Sequence, residues 1–512
     1  MKKDSSTNKR SLLINAVWNF SGFAAAVVVA FVMCPKLIHG LGDDRYGIWS
    51  LVEATVAYFT LLDLGIGISV VRYVAKFEEI EDREQLNRVF CTTLYIFVGA
   101  AALIVSATAG AAWVWTQPFG VPAELAQDTR WLILLLGANV AAGLVASVFG
   151  SVLHALGRFP AKTMIETGSR IAGAGFMLAV LAAGGGLVEL AVVVLGCTMV
   201  RGTLEAAAAR RYLPHLNFSP RLANRETFCT IRGYSVRAFV VLVAGRISYS
   251  SDAIVIGAFL APQWITFFVV AGRLTEYVRD AVWSLTAVLT PAISALETRG
   301  DHAAIRRTFL DGTRYTLMLV LPVAMGLLIL GKPFLTLWLD APHAEASYPV
   351  LVILTIGMVF ALSQSVAGRI LYGMGQLSWL TVAVVLEAVA NILISVSLIG
   401  PFGIEGVAMG TAVPCVAMHA ALACYVCRLL DVPAREYLRQ ALTGPLLLLP
   451  AAPAVWLAAM HWLPISDWSS FVLIGSMGVM VYGAAVWLVE FRHSAAMPSA
   501  LAFGRRAAVE ES

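Results

Sequence analysis

Hydrophobic segments long enough to cross a membrane recur along the whole chain. From Ser11 to about Phe491, about fourteen apolar stretches alternate with short polar turns. A bilayer core is ~30 Å thick and a helix rises ~1.5 Å per residue, so each stretch of ~20 residues can span it. The chain is 59% hydrophobic and 13% charged, with a mean hydropathy of +0.79. The sequence therefore predicts an all-α polytopic membrane protein with about 14 transmembrane helices.

The spacing of these segments suggests three parts. The longest inside loop, Arg210 to Phe228, separates six predicted spans from the next six. We expect a first lobe over 1–215, a second over 216–430, and two further helices with a cytoplasmic tail over 431–512. The predicted spans are 11–34, 47–75, 89–116, 129–153, 162–183, 187–209, 230–260, 264–294, 313–334, 348–373, 378–399, 405–427, 441–462 and 469–491.

Positive charge lies mostly on one side of this predicted topology. Lysine and arginine collect at both termini and in the second, fourth, sixth, eighth and twelfth loops. The other side holds only Lys36, Arg45, Arg130 and Lys332. The positive-inside rule therefore places both termini in the cytoplasm of a multi-pass membrane protein. The same charges form no basic soluble face, so we expect no nucleic-acid partner.

Signatures of soluble enzymes are missing from the sequence. There is no phosphate-binding loop of the form G-x-x-x-x-G-K-[ST], and neither H-E-x-x-H nor G-x-S-x-G occurs. Only Cys424 and Cys427 have C-x-x-C spacing, without a second pair nearby, so we expect buried thiols rather than a metal site. The first apolar run is a full span rather than a signal peptide. We expect no enzyme activity, cofactor or metal.

Charges inside the predicted spans are the candidates for function, because burying a charge in a bilayer costs several kcal/mol. In the hairpin of the seventh and eighth spans, a turn near 261–263 puts Asp252 level with Arg273, and Arg246 between Glu276 and Asp280. Opposite charges then meet at two depths. These residues could line a cavity, or they could be ion pairs that only hold the helices together.

The fifth and sixth spans carry a second charged group. Glu166 and Arg170 are helical neighbours, as are Arg201 and Glu205, and a turn near Gly185 places the two arginines at one depth. Such arginines could hold an anion. The substrate-cavity candidates are Arg170, Arg201, Arg246, Asp252, Arg273 and Glu276, and the ion-coupling candidates are Asp63, Glu166 and Glu205. Asp63 precedes Gly65 and Gly67, so it could instead stabilise a helix break.

The first hairpin carries a family resemblance. The run LIHGLGDDRYGIWSLVEATVAYFTLLDLGIGISVVRYVAKF, Leu37–Phe77, resembles the polysaccharide-transport family, the Wzx-type flippases of the MOP exporter superfamily. The shared features are an LG…YG turn, an LLDLG segment in the second helix and an RY pair near its inner end. Tyr249–Leu260 and Val288–Ala295 are similar to the family's seventh helix and to the end of its eighth.

This resemblance implies two six-helix lobes that form a V around a central cavity, with two extra C-terminal helices. It further implies that lipid-linked oligosaccharide units on undecaprenyl pyrophosphate move from the cytoplasmic to the periplasmic leaflet of a bacterial inner membrane. The product would be O-antigen, capsule or exopolysaccharide, and transport would be ion-coupled or product-driven. The expected partners are this substrate, the bilayer, a polysaccharide polymerase and a chain-length regulator. The alternatives are a lipid II-type precursor flippase and a MATE-like drug exporter, although MATE exporters have an acidic residue in the first helix and this chain has none there.

Overall fold

The structure, a computed structural model, describes residues 5–63, 65–115, 118–227 and 236–490. Helices make up the regular secondary structure in these four ranges, and no strand occurs within them. The predicted all-α class is therefore confirmed. Residues 1–4 and 491–512, with part of the positive charge used to orient the chain, lie outside the described ranges, as does Arg232.

The helices are numbered here in chain order. They are α1 Ser5–Leu41, α2 Asp43–Ala57, α3 Ile66–Glu79, α4 Arg83–Val114, α5 Ala126–Ala155, α6 Phe159–Ala182, α7 Leu187–Tyr212, α8 Val236–Phe259, α9 Pro262–Thr286, α10 Leu289–Thr298, α11 His302–Ile329, α12 Gly331–Trp338, α13 Ala341–Ser363, α14 Ser365–Gly373, α15 Leu377–Leu429, α16 Ala434–Tyr437, α17 Thr443–Leu448, α18 Ala451–Trp462 and α19 Trp468–Glu490.

Eleven segments of the described chain are long and apolar enough to cross a membrane. They correspond to most of the predicted spans, and three features account for the difference from fourteen. The segment Leu377–Leu429 contains two predicted spans, separated at Gly403, where the backbone has a positive φ of 57°. The predicted span 230–260 lies partly outside the described residues and retains a shorter apolar helix, Ser250–Phe259. The predicted span 47–75 is broken.

The break in that second span lies between α2 and α3. A short 3₁₀ turn, Tyr58–Asp63, follows α2, and Gly65 adopts a left-handed conformation with φ 71° immediately before α3 begins. A residue with a side chain would be strained in that conformation. The Asp63 carboxylate accepts a hydrogen bond from the Gly67 N–H at 3.0 Å, so it satisfies one of the free donors at the start of α3. The break that Asp63 and its glycines suggested is confirmed.

The chain divides into two compact units. Unit 1 comprises 1–270 and 381–411, and unit 2 comprises 271–380 and 412–512. These units are defined by contacts within the fold, whereas the predicted lobes follow chain order, so the division at 215 and 430 stays a prediction.

Helix α5 lies at the centre of unit 1, where it packs against α2, α3, α4 and α7. Small residues allow this close approach: a side chain at Gly137 would collide with Thr108 of α4, and one at Gly202 with Ala146 of α5. At one end of α5, Phe90, Phe149 and Phe218 form an aromatic cluster, with Phe218 supplied by the long inside loop. Helix α1 packs mainly on α6.

The first hairpin packs, within unit 1, against the turn between α8 and α9 and the first residues of α9. A Cβ atom at Gly47 would collide with the carbonyl of Pro262, so only glycine fits there. The Thr266 hydroxyl donates a hydrogen bond to the Asp43 carbonyl oxygen at 2.7 Å. The LG…YG turn that carries the family resemblance therefore has a packing role.

In unit 2, α11 packs against α13, α14 and α18, and α18 packs against α19. Trp456 is the largest fully buried side chain of this part, and its indole N–H donates to the Gly475 carbonyl at 3.2 Å. The Tyr482 hydroxyl donates to the Met318 carbonyl at 3.0 Å. The last two helices are thereby packed onto the rest of unit 2.

Candidate functional site

Four polar side chains meet inside the apolar part of unit 1. Asp252 and Ser251 come from α8, and Asn391 and Thr411 come from α15. Asp252 is 7% exposed and Asn391 is 2% exposed. We call these four residues the oxygen group. In a membrane protein, such a buried set of polar side chains has to satisfy its hydrogen bonds internally.

The fold of α15 brings two members of the oxygen group together. The break at Gly403 turns the chain back on itself, and the two arms then pack closely. A side chain at Gly406 would collide with the Leu398 carbonyl, and one at Gly410 would collide with Ser395. The Gly406–Gly410 spacing is therefore a close-packing feature. Because the arms approach so closely, Asn391 on one arm reaches Thr411 on the other.

A chain of hydrogen bonds joins the oxygen group. The Thr411 hydroxyl donates to the Asp252 carboxylate, and its Oγ1 lies 2.9 and 3.0 Å from the two carboxylate oxygens. The Asn391 amide N–H donates to the Thr411 Oγ1 at 3.0 Å, and the Ser251 hydroxyl donates to the Asn391 Oδ1 at 3.1 Å. Each neutral side chain is thus oriented by the next, and the carboxylate lies at the end of the chain.

Two more residues interact with the buried carboxylate. Tyr58, at the break after α2, interacts electrostatically with both Asp252 and Arg246. Arg246 therefore brings a positive charge near the same tyrosine that interacts with the Asp252 carboxylate. Two of the predicted cavity residues, Arg246 and Asp252, thus share Tyr58 as an electrostatic neighbour within unit 1.

The oxygen atoms of the oxygen group are of the kinds that coordinate a small cation. Carboxylate, hydroxyl and amide oxygens are the ligands that hard cations prefer, and neither sulfur nor imidazole belongs to the group. The Val407 carbonyl lies 3.4 Å from the Thr411 hydroxyl and could supply a further oxygen. With a single carboxylate, the group can neutralise a monovalent cation or bind a proton.

A second charged group lies on α6 and α7. Glu166 forms its ion pair with Lys162, at 3.0 Å, rather than with Arg170, which is exposed. Both bases are four residues from Glu166, so helical spacing alone could not choose between them. Glu205 is 3% exposed and interacts electrostatically with Arg201, Lys162 and Glu166.

The charges of α9 lie in unit 2. Arg273 pairs with Glu276 at 3.3 Å, and Arg279 lies 3.9 Å from the other oxygen of Glu276. The Arg279 guanidinium also lies over the Trp283 ring, 5.2 Å from its centroid. Asp252 and Arg273 belong to different units, so their pairing stays a prediction.

Sequence reasoning missed three members of the oxygen group: Ser251, Asn391 and Thr411. A weak signal was present, because Asn391 and Ser395 are four residues apart in an otherwise apolar span, as are Val407 and Thr411. It also missed Arg369, whose guanidinium donates to the Trp283 carbonyl at 3.1 Å near the end of α9.

Comparison with known proteins places this chain in a family. The family model described as lipid II flippase MurJ matches residues 67–477. The chain is 22% identical over 473 residues to the uncharacterized membrane protein EpsK of Bacillus subtilis, covering 90% of this chain and 92% of that one. It is 25% identical over 193 residues to a "Probable low-salt glycan biosynthesis flippase" of Haloferax volcanii, covering 38% and 40% of the two chains.

Solved structures share the fold. The inward closed conformation of the lipid II flippase MurJ matches with a TM-score of 0.72 and 15% identity, covering 94% of this chain and 99% of that one. An inward-facing MATE multidrug resistance transporter of the MOP superfamily matches with a TM-score of 0.67 and 14% identity, covering 81% and 98%. The chain therefore belongs to the family described as lipid II flippase MurJ, within the MOP superfamily that its sequence resembles.

Proposed function

We propose that this protein flips lipid-linked oligosaccharide units across a bacterial inner membrane, with transport coupled to a monovalent cation at the oxygen group. Family membership and a relative described as a glycan biosynthesis flippase support the substrate class. The observation that carries the coupling is the buried Asp252 carboxylate, which Thr411 and Asn391 orient within an apolar span. A carboxylate held this deeply in hydrocarbon needs a compensating positive charge.

The positive charge that compensates Asp252 can come either from Arg246 or from an ion bound at the oxygen group. When Asp252 is neutralised by a bound cation or proton, it no longer offsets the charge of Arg246, with which it shares Tyr58 as a neighbour. The guanidinium is then available to an anionic pyrophosphate, which it can bind through paired hydrogen bonds. When Asp252 is charged again, it competes with the phosphate for Arg246. Binding of the driving ion and of the lipid headgroup would therefore be positively coupled.

Two further predicted cavity residues, Arg273 and Glu276, have supporting roles in this proposal together with their neighbours Arg279 and Trp283. Arg273 and Arg279 share the carboxylate of Glu276, so a phosphate could displace Glu276 from either one. Trp283 lies beside Arg279, and an aromatic ring next to charged groups suits a sugar ring. We propose these residues as contacts to the polar headgroup.

The proposed orientation of the protein in the membrane follows from the distribution of positive charge in the sequence. Both termini would lie in the cytoplasm, and the substrate would be handed to a polysaccharide polymerase and a chain-length regulator on the periplasmic side. The polymer would be O-antigen, capsule or exopolysaccharide.

The test is transport by the purified protein in vesicles that contain a labelled undecaprenyl-pyrophosphate oligosaccharide. We expect flipping to depend on a gradient of Na⁺ or H⁺, and Asp252→Asn to lose at least about tenfold in rate because the amide cannot neutralise the ion. Asp467→Asn is the matched control, since Asp467 is an exposed side chain between α18 and α19. Flipping by the Asp252→Asn protein at the wild-type rate, with its ion dependence intact, would refute the coupling.

A lipid II-type substrate is the second candidate, because the matching family model carries that description. The two substrates share an anionic pyrophosphate and an isoprenoid tail, and they differ in the polar headgroup. Rescue of a cell that lacks its lipid II flippase would favour this candidate. Rescue of surface polysaccharide in a strain that lacks an oligosaccharide flippase, without rescue of cell-wall synthesis, would favour the first.

A further inference from the structure

Glu205 is a buried carboxylate that the proposed coupling through Asp252 does not use. It lies on α7, seven residues before the end of that helix at Tyr212, hence about 10 Å inside that end. It packs against Gly150 of α5: a Cβ atom built there would lie 3.3 Å from the Glu205 Oε2 and 3.5 Å from the Lys162 Cε. The glycine thus leaves room for two charged side chains in the contact between helices.

Two basic residues, Lys162 and Arg201, lie near Glu205. Lys162 forms its ion pair with Glu166 at 3.0 Å. Arg201, one helical turn from Glu205, interacts with it electrostatically, and the buried Arg201 Nε has no hydrogen-bond partner in the described part of the chain. Within the same described residues, no ion pair joins Glu205 to either base. A carboxylate buried in this way avoids a cost of several kcal/mol when it takes up a proton.

The titratable groups around Glu205 come from all three helices of the contact. Helix α6 contributes Lys162 and Glu166, and α7 contributes Arg201. On α5, His154 interacts electrostatically with Lys162 and Glu166. With Glu205 charged, the two bases and two carboxylates balance, and with Glu205 protonated the group carries one excess positive charge. Protonation therefore changes the net charge of a buried contact.

We propose that Glu205 is a proton-binding site on α7, distinct from the oxygen group, whose protonation releases Arg201 to bind an anionic phosphate. A proton from water forms an O–H bond with a Glu205 carboxylate oxygen while α5, α6 and α7 are packed as here. When a movement of these helices exposes the carboxyl group to water, the proton returns to water. Arg201 is a positioning residue for Glu205 in the deprotonated state and a phosphate contact in the protonated state.

The test is infrared difference spectroscopy on the purified full-length protein while the pH is raised. We expect the wild type to show the C=O band of a protonated carboxyl group that disappears with rising pH, and Glu205→Gln to lack this band. Glu166→Gln and Asp252→Asn should keep it, so the result does not depend on the cation coupling proposed for Asp252. A Glu205→Gln protein with the unchanged wild-type band would overturn the proposal.

A second variant keeps the proposal testable if Glu205→Gln does not fold. Removing the neighbouring positive charge with Arg201→Gln favours the neutral carboxyl group, so its band should persist to higher pH than in the wild type. A band that does not move in this variant would also overturn the proposal. His154→Gln separates imidazole from carboxyl titration, because it should leave the carboxyl band in place.

The transport consequence can be measured in the same vesicles. We expect Glu205→Gln to flip the labelled lipid with at least about tenfold weaker dependence on pH and with its Na⁺ dependence unchanged. A purely structural role for Glu205 would lower the amount of folded protein and leave the pH dependence of the remaining protein as in the wild type. That outcome would contradict the proposal.

Discussion

At the scale of single residues, the hydroxyl of Thr411 is the link that orients Asp252, because it donates to the carboxylate and accepts from Asn391. We expect Thr411→Val, which keeps the shape and removes the hydroxyl, to weaken the ion dependence of flipping by about tenfold or more. Thr411→Ser keeps the hydroxyl and should stay near the wild type. Ion titration of transport in vesicles measures both. Equal ion affinity in Thr411→Val and Thr411→Ser would show that the hydroxyl does not serve the ion.

Single residues also show where sequence reasoning about the site succeeds and where it ends. Charged residues in an apolar span stand out, so Asp252, Arg246 and Glu205 could be selected without a structure. Serine, threonine and asparagine are tolerated in spans at much lower cost, so Asn391 and Thr411 did not stand out. Depth along a helix does not say which face a side chain occupies. Helical spacing also could not decide between Lys162 and Arg170 as the ion-pair partner of Glu166, which pairs with Lys162.

At the scale of helices, substitutions of Asp63, at the break between α2 and α3, distinguish a capping role of this residue from an ion-coupling role. The Asp63 carboxylate accepts from the Gly67 N–H at 3.0 Å, and loss of such a cap costs about 1 kcal/mol. We expect Asp63→Ala to lower the melting temperature of the purified protein. Asp63→Asn retains an acceptor oxygen, so it should keep both stability and transport. A stable Asp63→Asn protein that has lost ion-dependent flipping would instead support ion coupling at Asp63.

Most helices could be predicted from apolar length, and the exceptions have local causes. The boundary between the predicted spans 378–399 and 405–427 was placed correctly, because short polar or glycine-rich turns between apolar runs mark helix ends. The second span was predicted as one segment over 47–75, because Phe59, Leu61 and Leu62 keep its break at Tyr58–Asp63 apolar. Asp63 with Gly65 and Gly67 gave the sign of the break. Hydrophobicity measures how much apolar surface a segment has, and it does not report a change in backbone direction.

At the scale of the whole molecule, the class of fold follows from composition, whereas the grouping of helices does not. Apolar segments that each cross a bilayer leave few alternatives to a helical membrane protein. Which helices pack together depends on glycines and small side chains at particular contacts, such as Gly137 on Thr108. The chain passes from one compact unit to the other after residues 270, 380 and 411. These positions lie inside apolar helices and carry no boundary signal in the sequence.

Orientation in the membrane is the whole-molecule property that the charge pattern predicts and that a reporter can test. With both termini inside and fourteen spans, residues near Pro342 lie outside and residues near Leu222 lie inside. Alkaline phosphatase becomes active only where its disulfides form, in the oxidising periplasm. We therefore expect activity from a fusion after Pro342 and none from a fusion after Leu222, with a cytoplasmic reporter at the same two positions as the matched control. Because the positive-inside rule acts on the whole chain, the reverse pattern at both positions would invert every loop and place both termini outside.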